Sequence, residues 1–355
     1  MLETLGQYKI LDRIGAGGIG EVYRARDTQL GRTVALKLLT SDVAADGELR
    51  ERFLRDARAT TVLSHPNIAA LYEIGDDQGR VFLAFEFVPG EMLNGVIAGR
   101  AINPRRAINL GIQIADALAD AHAAGLLHGD IKPDNIIVTP KGNAKILDVG
   151  LSAWTGGGAQ RRAAAAMTAD SADTVARATV PYMSPEQALG EQVDERTDIF
   201  SLGTVLFEML TGRLPFNAST STALAMQIVQ AAAPAPSTLN RALPRELDDI
   251  VGKALAKSLE GRYESAATLA AELRSVAAIL DVRSRTSEPP DVVPFHTQKR
   301  SSGRWIVVAL LLLLAALAAA WWQRTSIERV WRRSMGPEGA GPVVRPVSGF
   351  RQGAR

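Results

Sequence analysis

The sequence contains no cysteine among its 355 residues. This absence excludes disulfide bonds, thiolate metal sites and cysteine nucleophiles, and it is compatible with a reducing compartment. An excess of charge of either sign is also lacking, because the formal net charge is only +2. A strongly basic balance is the usual signature of proteins that bind nucleic acid, so the composition argues against that class.

Internal repeats and an N-terminal targeting signal are lacking as well. The first fifteen residues, MLETLGQYKILDRIG, carry early acidic residues and no continuous apolar stretch, so they do not resemble a signal peptide. What the chain has is length and apolar content. With 46% hydrophobic residues it can bury a core large enough for two lobes or two domains.

One long apolar run lies near the C-terminal end. Residues 305–322 contain neither a charged residue nor a proline. As a helix they would extend about 27 Å, close to the hydrocarbon thickness of a bilayer. Trp305, Trp321 and Trp322 stand at the two ends, where indole rings favour the membrane interface. A buried core helix is the alternative, but the tryptophans and the flanking arginines favour a transmembrane helix over residues 304–322.

Polar segments flank this run on both sides. Residues 281–303 are rich in proline, serine and charge, which predicts a disordered linker. Residues 323–355 form a short basic tail that is too small and polar to build a core. The chemistry of the protein is therefore expected within residues 1–280.

Glycine spacing gives the first indication of a phosphate site. Gly15, Gly17 and Gly20 form the pattern G-x-G-x-x-G, in which glycine lets the backbone approach a phosphate closely. A dinucleotide-binding turn shows the same glycines, but a helix must follow them directly. Here residues 21–26 and 33–39 are predicted to be two strands of a hairpin, which excludes a dinucleotide site.

Two groups of charged residues stand among apolar neighbours. Lys37 lies within the strand VALKLL, and the segment LLHGDIKPDNIIV places Asp130, Lys132 and Asn135 between two apolar pairs. Taken singly, each of these residues is best explained as a solvated charge. Their order along the chain, together with two further motifs, changes that interpretation.

In order, these motifs resemble those of the Hanks-type protein kinases, the eukaryotic-like serine/threonine kinases of bacteria, over roughly residues 8–280. The glycine-rich loop and VALK come first, HGDIKPDN follows, and then come LDVG at residues 147–150 and SPE at residues 184–186. The resemblance implies an α+β, bilobal protein-kinase fold with a β-rich N-lobe at about residues 8–88 and a helical C-lobe at about residues 91–280. One transmembrane helix would complete the architecture.

The resemblance also implies roles for individual residues in phosphoryl transfer. Asp130 would orient the substrate hydroxyl and accept its proton, and Lys132 would neutralise the γ-phosphate. Asn135 and Asp148 would bind Mg²⁺ or Mn²⁺, and Lys37 would hold the α- and β-phosphates of ATP. The ATP-binding residues would be Ile14, Gly15, Gly17, Gly20, Val22, Ala35, Lys37, Glu86 and Val88.

Supporting roles follow from the same resemblance. Asp198 would cap the backbone of the catalytic loop, Glu186 would pair with Arg262, and Thr179 would position the substrate. Phe85 occupies the gatekeeper position of the hinge between the lobes. The phosphorylatable residues of the long activation segment are Thr168, Ser171 and Thr174.

The sequence departs from the family pattern at three positions. Asp56 replaces the glutamate that usually pairs with Lys37 and is one methylene shorter. Val149 replaces the phenylalanine of the metal-binding motif, and Gly129 replaces an arginine that in many kinases binds a phosphate on the activation segment. A pseudokinase, an ATP-binding scaffold with little or no transfer activity, is therefore the alternative. Against it, every residue to which the resemblance assigns catalysis or metal binding is present.

We therefore expect a non-specific serine/threonine protein kinase that is tethered to the cell's inner membrane by a single pass. The catalytic domain should be cytoplasmic, because ATP is. The expected partners are ATP, protein substrates, the lipid bilayer and a second copy of the chain for autophosphorylation, but not nucleic acid. Basic residues flank the apolar run on both sides, so charge does not decide its orientation.

Overall fold

The computed structural model describes residues 3–16, 20–39, 47–151, 179–287 and 310–322. Contacts divide the chain into two units at Ser287. The first unit holds both predicted lobes, and the second is described only by its short helix.

A six-stranded antiparallel sheet forms the N-terminal part of the first unit. Alternate residues of its strands face opposite sides, as the period of two requires. Leu83 and Phe85 pack against helix α1 (Gly47–Thr60), whereas Phe82 and Ala84 join a second cluster on the other face. The strands, in the spatial order β1-β2-β3-β4-β6-β5, are β1 (Thr4–Leu5), β2 (Tyr8–Ala16), β3 (Gly20–Asp27), β4 (Thr33–Leu39), β5 (Leu71–Asp77) and β6 (Arg80–Glu86).

The hairpin predicted after the glycine-rich loop is confirmed. Strands β3 and β4 pair antiparallel from Gly20–Leu39 to Arg26–Thr33. The Val22–Lys37 pair lies in the middle of this register, and β6 continues the sheet with Leu83 opposite Lys37. Lys37 is thereby held in a central strand of the sheet.

Among the described residues of the first unit, eight helices, α2 to α9, follow the N-terminal sheet along the chain. Helix α3 starts with Pro104 at its first position, and the Asn103 side chain accepts hydrogen bonds from two backbone N–H groups. The proline and this cap together mark where the helix begins. Helix α5 is buried around nearly its whole circumference and forms the centre of the core. The helices are α2 (Leu93–Ile97), α3 (Pro104–Ala123), α4 (Pro185–Leu189), α5 (Glu195–Thr211), α6 (Ser221–Gln230), α7 (Pro236–Leu239), α8 (Glu246–Ala254) and α9 (Ala266–Ser287).

A small antiparallel sheet lies between these two parts of the chain. It consists of β7 (Glu91–Met92), β8 (Ile136–Val138) and β9 (Ala144–Ile146), and a 3₁₀ turn at Pro133–Asn135 leads into β8. Because Ile136 pairs with Ile146, the start of β8 lies beside the end of β9. This hairpin brings the residues before β8 and after β9 together.

Helix α9 extends past the boundary that the sequence analysis set between the helical lobe and the linker. It continues to Ser287, seven residues into the segment 281–303 that was assigned to a disordered linker. No glycine or proline occurs between Ala266 and Ser287, so nothing in the local sequence ends the helix at residue 280. The start of the linker was therefore predicted too early.

Residues 310–322 form a helix that covers part of the long apolar run. The first five residues of the apolar run, 305–309, lie outside the described residues. Among the residues that the structure describes, no helix is both long and apolar enough to cross a membrane.

Candidate active site

Lys37 and Asp148 form an ion pair in the cleft between the N-terminal sheet and the helical part. Ala35 and Leu39 of β4 face helix α1, and Lys37 between them shares that face. Its ammonium contacts both carboxylate oxygens of Asp148 and lies 5.6 Å from the centre of the Phe85 ring. The two charged side chains are only 15% and 10% exposed, so little solvent screens their attraction.

The backbone at Asp148 is unusual. Its φ of +62° lies in the left-handed region, which non-glycine residues adopt rarely and mostly at functional sites. The next bend, at Gly150, has φ of +75°, and a Cβ there would stand 2.5 Å from the Thr60 side chain. Both positive dihedrals turn the chain sharply after β9 and direct the Asp148 carboxylate towards Lys37.

A second group of predicted residues surrounds Asp130 in the loop before β8. The side chain of Asp130 is only 6% exposed, and its Oδ2 lies 3.0 Å from the Lys132 ammonium. Asn135 donates from Nδ2 to the backbone oxygen of Asp130 at 2.8 Å and to Oδ2 at 3.2 Å. Lys132 also donates to the Thr179 hydroxyl at 2.9 Å, across 47 residues of chain. Two predicted site residues, Lys132 and Asn135, therefore contact the Asp130 carboxylate, and Lys132 connects it to a third, Thr179.

This loop and Asp148 are joined through backbone and histidine contacts. The backbone N–H of Leu147 donates to the Asn135 carbonyl at 2.9 Å. The Nε2 atom of His128 lies 2.8 Å from the Leu147 carbonyl, and its Nδ1 accepts the Asp130 N–H at 3.2 Å. The two carboxylates at residues 130 and 148 consequently belong to one site.

The donor atoms of Asn135 and Asp148 are of the kind that a hard divalent cation prefers. Because Asn135 directs its amide nitrogen at Asp130, its amide oxygen remains as a potential ligand. One amide oxygen and one carboxylate, completed by water and phosphate oxygens, match the preferences of Mg²⁺. Within the described ranges, no cluster of three or more histidine, aspartate or glutamate side chains offers another metal site.

Asp198 binds the backbone of the loop that precedes β8 and contains Asp130. It is fully buried and accepts hydrogen bonds from the backbone N–H groups of His128 at 2.9 Å and Gly129 at 2.7 Å. The Nε2 of His122 lies 2.8 Å from the same carboxylate. Burial raises the pKa of Asp198, but the bonds from these histidines outweigh it and the pKa lies below its usual value. Gly129 has φ of +66°, which suits a residue without a side chain.

Glu186 and Arg262 meet in the core of the helical part. Two hydrogen bonds of 2.7 Å join their planar groups, and the Thr197 hydroxyl donates to Glu186 at 2.7 Å. Burial raises the pKa of Glu186, but the hydrogen bonds from Arg262 and Thr197 outweigh it, so the pKa is lowered. This pair ties helix α4 to the segment before α9.

The predicted nucleotide-binding residues lie along the strands that border the cleft. Val88 packs with Ala69 and Ile137, and Leu147 contacts the same cluster. Sequence reasoning did not name Ile137 or Leu147, although both belong to apolar segments that adjoin predicted metal ligands. The residues placed on the strands or just after them are Ile14 and Gly15 on β2, Gly20 and Val22 on β3, Ala35 and Lys37 on β4, Glu86 at the end of β6 and Val88 beyond it.

Asp56 lies half-buried on α1, between the buried residues Phe53 and Ala57. The structure brings the Lys37 ammonium to the Asp148 carboxylate. The pairing of Asp56 with Lys37 stays a prediction.

Some predicted residues lie outside the described residues. They are Gly17, in the glycine-rich loop, and the predicted residues within the segment 152–178. That segment contains the three phosphorylatable residues of the predicted activation segment, Thr168, Ser171 and Thr174.

Three polar residues at the site were not found by sequence reasoning. His122 contacts Asp198, Lys145 contacts Glu86 at 2.6 Å, and Gln187 donates to the Gly129 carbonyl at 2.8 Å. For Gln187 a signal existed, because Ser-x-x-Gln predicts the capping box that starts α4. For the others, the partners are far away in sequence and no local pattern indicates them.

The fold and these contacts match the architecture that the motifs predicted. Residues 8–273 match the model of the protein kinase domain family, and the chain therefore belongs to the protein kinase family. The bilobal protein-kinase fold is confirmed. A crystal structure of a variant of the PknI kinase domain from Mycobacterium tuberculosis is similar, with a TM-score of 0.58 and 26% identity, over 77% of this chain and 97% of that one.

Curated relatives are bacterial serine/threonine-protein kinases. PrkC of Bacillus subtilis is 37% identical over 276 residues, which cover 76% of this chain and 40% of that protein. PknB of Mycobacterium tuberculosis is 35% identical over 295 residues, which cover 80% of this chain and 44% of that protein. The chain thus spans less than half the length of these relatives.

Proposed function

We propose that this protein transfers the γ-phosphate of ATP to serine or threonine hydroxyls of proteins. The observation that carries the proposal is that Lys132 and Asn135 both contact the Asp130 carboxylate, while Lys132 also donates to Thr179. His128 links this group to the site of Asp148. The named relatives, which are serine/threonine-protein kinases, support the same activity.

The geometry supplies a base and the charges that phosphoryl transfer needs. The Asp130 carboxylate is positioned to accept the proton of the substrate hydroxyl, whose oxygen then bonds to the γ-phosphorus while the bond to ADP breaks. Lys132, which contacts both Asp130 and Thr179, would stabilise the charge on the transferred group. A divalent cation held by Asn135 and Asp148 would neutralise the triphosphate when bound.

Lys37 provides the direct test of this function. We expect Lys37→Ala to lower the rate of transfer by at least about a hundredfold, because a preorganised positive charge at the phosphates is lost. The assay uses the purified full chain with labelled ATP, magnesium and a generic basic protein substrate. Lys141→Ala is the matched control, since Lys141 is an exposed lysine on the turn between β8 and β9.

The outcomes separate the proposed kinase from the pseudokinase. The observation that favours the latter is the aspartate at position 56, which is one methylene shorter than the glutamate of the family pattern. A wild-type chain that binds ATP but transfers no phosphate would establish the scaffold. Equal transfer by Lys37→Ala and wild type would contradict the role given to Lys37.

We further propose that residues 304–322 anchor the chain in the inner membrane, with the kinase domain in the cytoplasm. The support comes from the sequence, in which eighteen uncharged residues are bounded by tryptophans. A copy anchored in this way would meet others in the same membrane, which favours autophosphorylation within a homodimer.

Fractionation tests the anchor. We expect the full chain to sediment with membranes and to require detergent for extraction, because transfer of the apolar run into lipid is favourable. A chain that ends at residue 300 lacks the run and should remain in the soluble fraction. Recovery of the intact full-length protein in the soluble fraction would contradict the anchor.

A further inference from the structure

Lys145, on β9, makes contacts that catalysis does not explain. Its ammonium lies 2.6 Å from Oε2 of Glu86 and donates to the Ile68 carbonyl at 3.1 Å. Glu86 is the last residue of β6, 59 residues before Lys145 in sequence. The lysine therefore joins the end of the N-terminal sheet to the small sheet that carries the catalytic residues.

Backbone hydrogen bonds also connect β6 and β9, through residues 67–70. The N–H of Glu86 donates to the Ala70 carbonyl at 2.8 Å, and the Glu86 carboxylate accepts the Ala70 N–H at 3.3 Å. On the other side, the N–H of Ile146 donates to the Asn67 carbonyl, and its carbonyl accepts the Ala69 N–H, both at 2.8 Å. Residues 67–70 thus form a bridge between β6 and β9, and Lys145 binds both the bridge and Glu86.

This ion pair is only partly accessible to solvent. The side chains of Lys145 and Glu86 are 16% and 28% exposed. A pair of this kind is worth more than a surface salt bridge, and loss of one partner leaves the other charge poorly hydrated. Without Lys145, the Glu86 carboxylate would have to turn towards water, and the backbone that follows β6 would lose its fixed position.

We propose that Lys145 is a positioning residue for nucleotide binding. By fixing the Glu86 side chain, it sets the backbone of residues 86–88, the segment expected to offer hydrogen bonds to adenine. Val88 in that segment packs on Ile137 of β8, so the β8–β9 hairpin that carries Lys145 contacts the segment 86–88 through both an ion pair and an apolar contact. The inference rests on the proposed function, because it requires that the cleft binds ATP.

The test measures the dissociation constant for ATP of the purified full chain by calorimetry. Lys145→Met is expected to weaken ATP binding about tenfold, equivalent to about 1.4 kcal/mol. Since the lost interaction is made equally in the ground state and the transition state, KM for ATP should rise while kcat stays within about threefold. The same factor is expected for adenosine, because the effect lies at the base and not at the phosphates.

Companion variants isolate the ion pair. Lys145→Arg should retain most of the affinity, because the charge is preserved. Glu86→Gln, which keeps the shape of the side chain, should weaken ATP binding in the same direction, and the double variant should lose less than the sum of the two. Lys141→Met, on the same hairpin, should bind ATP like the wild type. If Lys145→Met fails to fold, Glu86→Gln still decides the question.

Each result has a defined meaning. Unchanged binding of ATP by the folded Lys145→Met chain, even with a lower melting temperature, would overturn the proposal and leave Lys145 a structural residue. Weaker ATP binding with unchanged adenosine binding would also overturn it, because the effect would then lie at the phosphates. Failure of the wild-type chain to bind ATP would instead refute the proposed function, together with this inference.

Discussion

Replacement of Asp130 by alanine should lower the rate of phosphoryl transfer by about a thousandfold, within the range known for a positioned general base. The carboxylate is the one group in the described site that lies in contact with both Lys132 and Asn135. Its removal deletes the proton acceptor and the charge that orients both neighbours. Asp130→Asn should show a loss of similar size, because it keeps the shape and removes the charge.

The measurement is the single-turnover rate of the full chain at saturating ATP. Asp134→Ala is the matched control, because Asp134 is an exposed aspartate of the same loop whose side chain contacts Asn94. We expect its rate to stay within about threefold of wild type and ATP affinity to be kept in all variants, since Asp130 acts on the hydroxyl. Wild-type rates in both Asp130 variants would refute its role as the base.

The largest expected loss of stability follows replacement of Arg262 by methionine. The Arg262 and Glu186 side chains are 0% and 5% exposed. Loss of one partner of a buried ion pair usually costs about 3–5 kcal/mol, because the remaining charge is buried without compensation. Arg196→Met is the control: its pair with Asp194 is partly exposed, and such pairs contribute about 0–1 kcal/mol.

The pH dependence gives this prediction a second readout. The pKa of Glu186 is lower in the folded protein than its ordinary value of 4.5, so the pair stabilises the fold above that pH. The contribution is lost as the pH falls through the lowered pKa. In Arg262→Met the hydrogen bonds and the positive charge of Arg262 are lost, so the pKa of Glu186 is higher than in the wild type and the neutral form is favoured. The difference in unfolding free energy between wild type and variant should therefore shrink on acidification.

Urea unfolding at pH 7.5 and at pH values near 4 measures both effects. A loss of stability in Arg262→Met no greater than in Arg196→Met would contradict the importance of the buried pair. A difference from wild type that grows on acidification would contradict the assigned cause.

Local patterns in the sequence determined the elements and most of the site residues. The residues around Lys37 predicted a strand, because strand formation depends on interactions within a few residues. The order of the motifs placed Asp130, Asn135 and Asp148 in one site, and the β8–β9 hairpin brings them together.

Only the tertiary structure decided which distant charges meet. The sequence analysis named Asp56 as the partner expected for Lys37, and the structure shows a contact of Lys37 with Asp148, 111 residues away, that no local pattern indicated. The contact between Lys145 and Glu86 had no local signal, because a partly buried ion pair depends on two strands from different sheets meeting. A local residue pattern indicates whether a segment forms a helix or a strand and which of its faces is exposed. The partner of a buried charge is determined instead by tertiary packing, because the two charges are removed from water together when the elements pack.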